Sequence, residues 1–284
     1  MIIKTNALIP NSYNLEAQAE ILILPETKED FKDIFTRYQA HKIIVLGRGN
    51  NIILSQPYYD HEYVFVILRE NFGNFIFTNE QVIVEAGADM KILSIEAQKR
   101  GLSGLEYFYG IPSSLGGAIY MNAGANEFET KQIVKTVTYF DKNTKEIHTL
   151  NNEDSKFSYR HSIFQDIDAI ILEASLLLTP SSKEKIWNKM ISIYRERDKK
   201  QPLDYPSAGS VFKRPQGFYV GKMIEDLGLK GYSIGGAKIS EKHAGFIINY
   251  NKATGKDILQ LINLIREKVH KHYGVWLETE QIII

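Results

Sequence analysis

Residues 110–125 read GIPSSLGGAIYMNAGA, a stretch rich in glycine and other small residues. Small and hydroxyl residues follow the rigid Pro112, a glycine pair stands at Gly116 and Gly117, and Asn122-Ala123-Gly124 closes the stretch. The backbone surface is therefore long and free of bulky side chains, as a flat aromatic cofactor or a diphosphate requires. The alternative is a helix N-terminus packed tightly against a sheet. The cofactor-binding candidates in this stretch are Gly110, Ile111, Pro112, Ser113, Ser114, Gly116, Gly117, Ala118, Asn122 and Gly124.

A second glycine-rich loop, residues 47–51, follows a predicted strand at residues 42–46. Glycines without a Cβ let backbone N–H groups approach phosphate oxygens closely. The loop is neither a Walker A loop nor the GxGxxG fingerprint, because no Gly-Lys-Ser/Thr ending follows and residue 52 is isoleucine. A tight turn is the alternative, but two such loops predict one extended cofactor. The candidates here are Gly47, Arg48, Gly49, Asn50 and Asn51.

The composition excludes several classes of protein. The chain has 284 residues, of which 44% are hydrophobic and 24% charged, as is typical of a soluble globular protein with one large domain or two ordinary ones. Lys plus Arg equals Asp plus Glu at 34 each, so no global field favours nucleic acid or an anionic membrane. The absence of cysteine excludes disulfides, Cys-ligated zinc and iron–sulfur clusters. No signal-peptide core or apolar run of roughly 20 residues is present, so we expect a cytoplasmic protein.

Strand-like and helical patterns alternate along the chain, which predicts a mixed α+β fold. The periodicity and capping signals predict helices at residues 90–100, 181–199 and 255–272, and a closing strand at 275–284. We predict a domain boundary near residue 180, with residues 1–179 forming one region and residues 180–284 another.

Polar side chains in three segments are candidates for catalysis. Residues 207–213, SAGSVFK, put the hydroxyl of Ser210 on a tight approach next to a cation, which suits delivery of a group to a bound anionic substrate. Arg160 offers a planar fork of donors that matches a carboxylate, although a surface ion pair is the alternative. Glu278 and Glu280 share one face of a strand, which predicts either a polar site or a solvated strand end. No second ligand stands at metal spacing from His161, so no metal site is predicted.

In order along the chain, these segments resemble the UDP-N-acetylenolpyruvoylglucosamine reductase family, flavoenzymes that complete UDP-N-acetylmuramate for peptidoglycan. The resemblance covers nearly the whole chain, although the family's early Arg-x-Gly-Gly segment is missing from residues 14–19. A tyrosine-bearing substrate lid is also missing, so the chain is similar to the shorter, second type of the family. The matching motifs are GRGNN at 47–51, GIPSSLGGAIYMNAGA at 110–125, YRHS at 159–162, YPSAGSVFK at 205–213, GLKGYSIGGAKISEKHAGFIIN at 228–249 and GVWLETE at 274–280.

The resemblance implies an FAD-binding fold of the vanillyl-alcohol-oxidase type. Residues 1–179 would form two α+β subdomains, split near residue 68, that hold FAD non-covalently. Residues 180–284 would form an α+β substrate domain. NADPH and a UDP-sugar would be the small-molecule partners, with no nucleic acid, membrane or obligatory protein partner.

The resemblance also assigns roles to single residues. Ser210 would donate the proton, and Arg160 and Glu280 would stabilise the enolic intermediate, with Glu280 protonated or hydrogen-bonded to the substrate carboxylate. Substrate binding would fall to Tyr205, Lys213 and Arg214, the last of which replaces a frequent asparagine and would redistribute the diphosphate contacts. The alternatives are another FAD-dependent oxidoreductase of the same superfamily and a non-catalytic flavin-fold binding protein.

Overall fold

The computed structural model describes residues 1–125 and 128–284, which form two compact units. The first unit comprises Met1–Thr5, Glu20–Arg48 and His61–Glu196, and the second comprises Asn6–Ala19, Gly49–Asp60 and Arg197–Ile284. The last segment of the first unit ends at Glu196, whereas the functional boundary near residue 180 stays a prediction. Within the described ranges, every helix is too short or too polar to cross a bilayer.

The elements of the described residues mix helices and strands throughout. The helices are α1 (Asp30–Arg37), α2 (Met90–Lys99), α3 (Leu115–Tyr120), α4 (Lys183–Lys200), α5 (Val220–Asp226) and α6 (Gly255–Tyr273), with 3₁₀ turns at Glu70–Phe72, Glu106–Tyr109, Thr130–Gln132 and Ile163–Gln165. The strands are β1 (Ile2–Leu8), β2 (Gln18–Leu24), β3 (Lys42–Leu46), β4 (Ile52–Ile53), β5 (Tyr58–Ile67), β6 (Phe75–Thr78), β7 (Gln81–Glu85), β8 (Leu102–Ser103), β9 (Gly124–Ala125), β10 (Phe128–Glu129), β11 (Val134–Asp141), β12 (Ile147–Asn151), β13 (Ala169–Leu177), β14 (Thr179–Pro180), β15 (Ser233–Ile234), β16 (Ala237–Ile239), β17 (Ile247–Asn249) and β18 (Ile282–Ile283).

Two sheets build the first unit. One has the order β1-β2-β5-β3, in which β3 and β5 run parallel, and most of its residues belong to this unit. Helix α1 buries Phe31, Ile34 and Phe35 in the core, and the Phe31 ring meets the Phe72 ring edge-on at 5.6 Å. Full burial of one such side chain contributes about 1.5–3 kcal/mol, so this face anchors α1.

The other sheet of the first unit is antiparallel, in the order β12-β11-β13-β7-β6. Helix α3, which carries the glycine pair of residues 110–125, packs on β13 and β7. Gly116 donates its N–H to Ala86 O at 2.8 Å, and a Cβ on Gly116 would lie 3.1 Å from the Ala86 Cβ. At Gly116 the structure therefore shows the alternative interpretation, a helix N-terminus packed tightly against a sheet.

The second unit is built around the antiparallel sheet β15-β16-β17 and helix α6. A capping box between Thr254 and Asp257 opens α6, and Gly274 in the left-handed conformation (φ 71°) ends it, which confirms the predicted helix. The predicted closing strand at 275–284 is wrong in extent. Only Ile282–Ile283 forms a strand, parallel to β4, because the preceding residues pair with a different segment.

His243 makes the stability of the second unit depend on pH. Its Nδ1 accepts the N–H of Gly245 at 3.1 Å, and burial lowers its pKa, with a further contribution from the Lys230 charge. The unfolded chain takes up this proton near pH 6.5 but the native side chain only at lower pH, so the unfolded state binds more protons in between. The free energy of unfolding is therefore expected to fall as the pH drops below about 6.5.

Urea unfolding at about pH 7.5 and about pH 5.5 checks this expectation. The loss of stability between the two should be smaller in His243→Asn, whose amide oxygen can still accept from Gly245. The exposed His61→Asn is the matched control and should behave as wild type. An unchanged pH dependence in His243→Asn would contradict the assignment.

Candidate active site

The two glycine-rich loops meet inside the first unit. A Cβ on Gly47 would lie 2.0 Å from Ser114 Oγ and 3.0 Å from Ser114 Cβ. Ser114 is the N-cap of α3 and its Oγ accepts the N–H of Gly117 at 3.4 Å. The residues 110–112 lead from the turn Glu106–Tyr109 into this cap, and Ala118 is buried behind it. Glycine at position 47 is therefore required by the close approach of the loops.

Arg48 ties the first loop to helix α2. Its Nη1 lies 3.1 Å from Glu70 Oε1 and 3.2 Å from Asp89 Oδ2. Asp89 is the N-cap of α2 and accepts the N–H groups of Lys91 and Ile92. The Arg48 side chain, which was predicted to bind the cofactor, thus holds its own loop against the N-terminus of α2.

The remaining residues of the first loop belong to the second unit. Gly49 has φ 69°, and a Cβ there would lie 2.3 Å from Pro10 O. Asn51 donates from Nδ2 to Glu280 O at 3.0 Å. One predicted cofactor-binding residue is therefore in direct contact with a predicted catalytic residue.

Both loops carry a buried polar atom that lacks a partner. Asn50 Oδ1 and Ser113 Oγ are among the buried side-chain atoms of the described residues without a hydrogen bond. Such an atom costs about 1–3 kcal/mol unless a ligand or water satisfies it. Asn50 in the second unit and Ser113 in the first thus each fit a ligand that offers a hydrogen-bonding group to that atom.

Asn122 and Gly124 hold Arg160 in the first unit. Asn122 is fully buried, donates from Nδ2 to Ser158 O at 2.8 Å and accepts the N–H of Lys131 on Oδ1 at 3.0 Å. Gly124 O accepts from Arg160 Nη2 at 3.1 Å. The predicted contact of Asn122 with a cofactor stays a prediction. It concerns the Asn122 backbone, because both polar atoms of the side chain already have partners in the protein.

Ser210 and Glu280 lie on neighbouring extended segments of the second unit. Ser210 is exposed and forms a bridge with Phe246, and Val211 O accepts the N–H of Glu280 at 2.8 Å. Gly209 has φ 82°, and no described atom lies within 4 Å of the place where its Cβ would stand. The backbone just before Ser210 is therefore open on the side where a Gly209 side chain would stand.

Tyr13 and Gln281 form a buried hydrogen-bonded relay that supports the loop carrying Ser210. The sequence patterns did not predict this relay. Gln281 donates from Nε2 to Ala208 O and to Gly209 O, each at 3.1 Å, and accepts the Tyr13 hydroxyl at 3.0 Å. Burial raises the pKa of Tyr13, so its hydroxyl stays a donor. The sequence signal that could have found Gln281 is strand alternation, which puts this glutamine on the face opposite the carboxylates of Glu278 and Glu280.

The predicted substrate-binding residues also lie in the second unit. Lys213 pairs through Nζ with Glu278 Oε1 and donates its backbone N–H to Glu278 O at 2.9 Å. The Arg214 guanidinium lies 3.8 Å from the centroid of the Tyr219 ring. Tyr205 is 42% exposed.

The structure thus groups the predicted residues within each unit. Arg160 lies with Asn122 and Gly124 in the first unit, whereas Ser210 and Glu280 lie together in the second. Their convergence on one substrate stays a prediction.

Known protein families match both the N-terminal and the C-terminal part of the chain. Residues 19–150 match the FAD binding domain family, and residues 201–284 match the C-terminal domain of UDP-N-acetylenolpyruvoylglucosamine reductase. The reductase of Thermosipho melanesiensis is 43% identical over 271 residues, covering 95% of this chain and 90% of that protein. That of Francisella tularensis is 41% identical over 276 residues, covering 96% of each.

A solved structure matches as well. The crystal structure of UDP-N-acetylenolpyruvylglucosamine reductase from Thermus caldophilus superposes with a TM-score of 0.84 at 31% identity, covering 99% of both chains. The fold and the paired glycine loops define an α+β flavoprotein with an FAD-binding region, which confirms the predicted fold class. The chain belongs to the UDP-N-acetylenolpyruvoylglucosamine reductase family, as its motifs predict.

The close approach of Gly47 to Ser114 predicts that Gly47→Ala weakens FAD binding. The added methyl must displace the capping Ser114, and such overpacking costs about 1–3 kcal/mol. The dissociation constant of FAD should rise about 5- to 150-fold at 25 °C, measured by titrating the apoprotein in a calorimeter. Gly221→Ala, where the Cβ would stand 3.4 Å from its nearest neighbour, is the control and should bind as wild type. Wild-type affinity in Gly47→Ala would contradict the role of this loop.

Proposed function

We propose that this chain reduces the enolpyruvyl ether of UDP-N-acetylenolpyruvoylglucosamine to UDP-N-acetylmuramate, with non-covalent FAD and with NADPH as electron donor. The observation that carries the proposal is the backbone hydrogen bond from Glu280 N–H to Val211 O at 2.8 Å, because it holds the predicted carboxyl residue beside the residue that follows the predicted proton donor. The 43% identity to a named reductase along 95% of the chain supports the same assignment.

Reduction of the substrate double bond needs a hydride and a proton. Bound FAD, once reduced by NADPH, would supply the hydride to the terminal vinyl carbon. The electron pair of the double bond then collects on the adjacent carbon and its carboxylate. Ser210 gives its hydroxyl proton to that carbon, and its alkoxide recovers a proton from water, so the net change is NADPH and a proton consumed per double bond.

A serine hydroxyl is a very weak acid, but an enolate carbon is basic enough to take its proton when the two are held in contact. The exposed hydroxyl of Ser210 and the relay from Gln281 to its loop support this role.

Arg160 and Glu280 act on the charge that develops. The Arg160 guanidinium stabilises the enolate and its carboxylate, and fixed charges of this kind usually make the largest contribution to catalysis. Glu280 acts on the same carboxylate when it is protonated or hydrogen-bonded to it.

The other predicted contacts belong to the same proposal. The loops at 47–51 and 110–125 hold FAD, with Asn50 and Ser113 as side chains whose buried atoms fit a ligand. Lys213, Arg214 and Tyr205 bind the UDP part of the substrate. Residues 1–179 then serve the flavin and residues 180–284 the substrate, in the cytoplasm and without an obligatory protein partner.

An anaerobic experiment tests the proposal. The purified flavoprotein is reduced with NADPH, enolpyruvyl-UDP-GlcNAc is added, and the flavin absorbance is followed. We expect the oxidised spectrum to return together with one product molecule per flavin. If only oxygen restores the spectrum, the chain is an oxidoreductase with another substrate. If the protein stays colourless after addition of FAD, it is a binding protein without turnover.

A further inference from the structure

Arg160 lies in a tight turn with an unusual backbone. Ser158 and His161 exchange two backbone hydrogen bonds, at 3.0 and 3.2 Å, and Arg160 between them has φ 55°. A non-glycine residue in the left-handed region is strained and persists where its surroundings hold it there.

Side-chain amides bind the turn from two directions. Gln165 donates from Nε2 to Arg160 O at 3.1 Å and to Tyr120 O at 2.7 Å. Asn122 donates from Nδ2 to Ser158 O at 2.8 Å. An amide NH₂ has two hydrogens, so Gln165 uses both of them to connect the turn to the end of helix α3.

These bonds connect Arg160 to the flavin loop. Tyr120 ends α3, the helix that Ser114 caps and that carries Gly116 and Gly117. Ser162 Oγ adds a bond to Tyr120 O at 2.8 Å. The backbone of the Arg160 turn is therefore hydrogen-bonded, through Gln165, to the end of the helix that carries the predicted cofactor-binding glycines, within one unit.

We propose that Gln165 and Asn122 are positioning residues that hold the Arg160 turn on helix α3 and so aim its guanidinium at the substrate. This inference rests on the proposed function. Neither residue needs to touch the substrate, because each acts through Arg160. A displacement of about 1 Å in such a group can cost about 100-fold in rate.

Gln165→Glu tests the inference with an isosteric change. The carboxylate cannot donate, so it repels the two carbonyl oxygens that the amide joins. We expect reoxidation of the reduced flavin by enolpyruvyl-UDP-GlcNAc to slow about 100-fold, and calorimetry to show weaker binding of that substrate to the oxidised holoenzyme. Flavin reduction by NADPH and the dissociation constant of FAD should stay within about twofold of wild type, since neither depends on Arg160.

The control is Gln98→Glu, because Gln98 also donates from Nε2 to a backbone carbonyl, that of Lys183 at 3.0 Å, and neither residue has a role in the proposal. It should match wild type in both half-reactions. If Gln165→Glu does not fold, Gln165→Met removes the same two donors without adding a charge, and the same measurements on this variant test the inference.

A double-mutant cycle separates positioning from general stability. In an Arg160→Lys background, Gln165→Glu should cost far less than about 100-fold, because the group that it aims has gone. Equal costs in both backgrounds, or a loss that affects flavin reduction as strongly, would overturn the inference. Failure of the proposed function is seen separately, since wild-type enzyme would then not be reoxidised by the substrate at all.

Discussion

Ser210→Ala is expected to slow reduction of the enolpyruvyl substrate by about 10²–10⁴-fold, the usual contribution of a positioned acid or base. The variant removes one oxygen from an exposed position, so neither the core nor the pairing of Val211 with Glu280 should change. Hydride can still reach the vinyl carbon, but the adjacent carbon must then take its proton from water. The loss should therefore fall on turnover and not on binding.

Rapid-mixing measurements of the two half-reactions check this expectation. Flavin reduction by NADPH should be unchanged, while reoxidation by the substrate should carry the whole loss. Ser207→Ala, three residues earlier in the same loop, is the control for loss of a hydroxyl and should retain normal rates. Unchanged reoxidation in Ser210→Ala would remove Ser210 from the mechanism.

Arg160→Lys is expected to lower the same rate by about 10²–10³-fold, the scale of losing one group that stabilises developing negative charge. Lysine keeps the positive charge, but its single ammonium lacks the planar fork that can face a carboxylate while one Nη donates to Gly124 O. The left-handed backbone at this position is as strained for lysine as for arginine, so the fold is not the source of the loss.

The measurement is again reoxidation of the reduced flavin, supplemented by calorimetric titration of the substrate. Arg100→Lys, at an exposed helix arginine paired with Glu96, is the matched control and should be silent. Wild-type reoxidation in Arg160→Lys would show that the charge alone suffices, and that the fork geometry proposed for Arg160 is unnecessary.

Sequence patterns predicted those elements whose signals are local. Helix α6 begins and ends where its capping box and terminal glycine indicate, because both signals lie within one turn of the helix ends. The α+β class followed from the alternation of strand-like and helical patterns, and the family followed from the glycine loops and motifs, because these signals are local too. The predicted closing strand failed because a strand depends on its partner. Residues 278–280 pair with 211–213, and Ile282–Ile283 pairs with β4 instead.

The sequence alone determined which residue types are present for chemistry: a hydroxyl at 210, a guanidinium at 160, a carboxyl at 280 and the glycines of two loops. The groups that support these residues are visible only in the folded structure. Tyr13 and Gln281 are 268 positions apart and yet share a buried hydrogen bond below the serine loop, and Gln165 joins the Arg160 turn to helix α3. The physical reason is that periodicity and caps record interactions between near neighbours. A hydrogen bond between distant residues exists only after the chain has folded, so the local pattern cannot encode it.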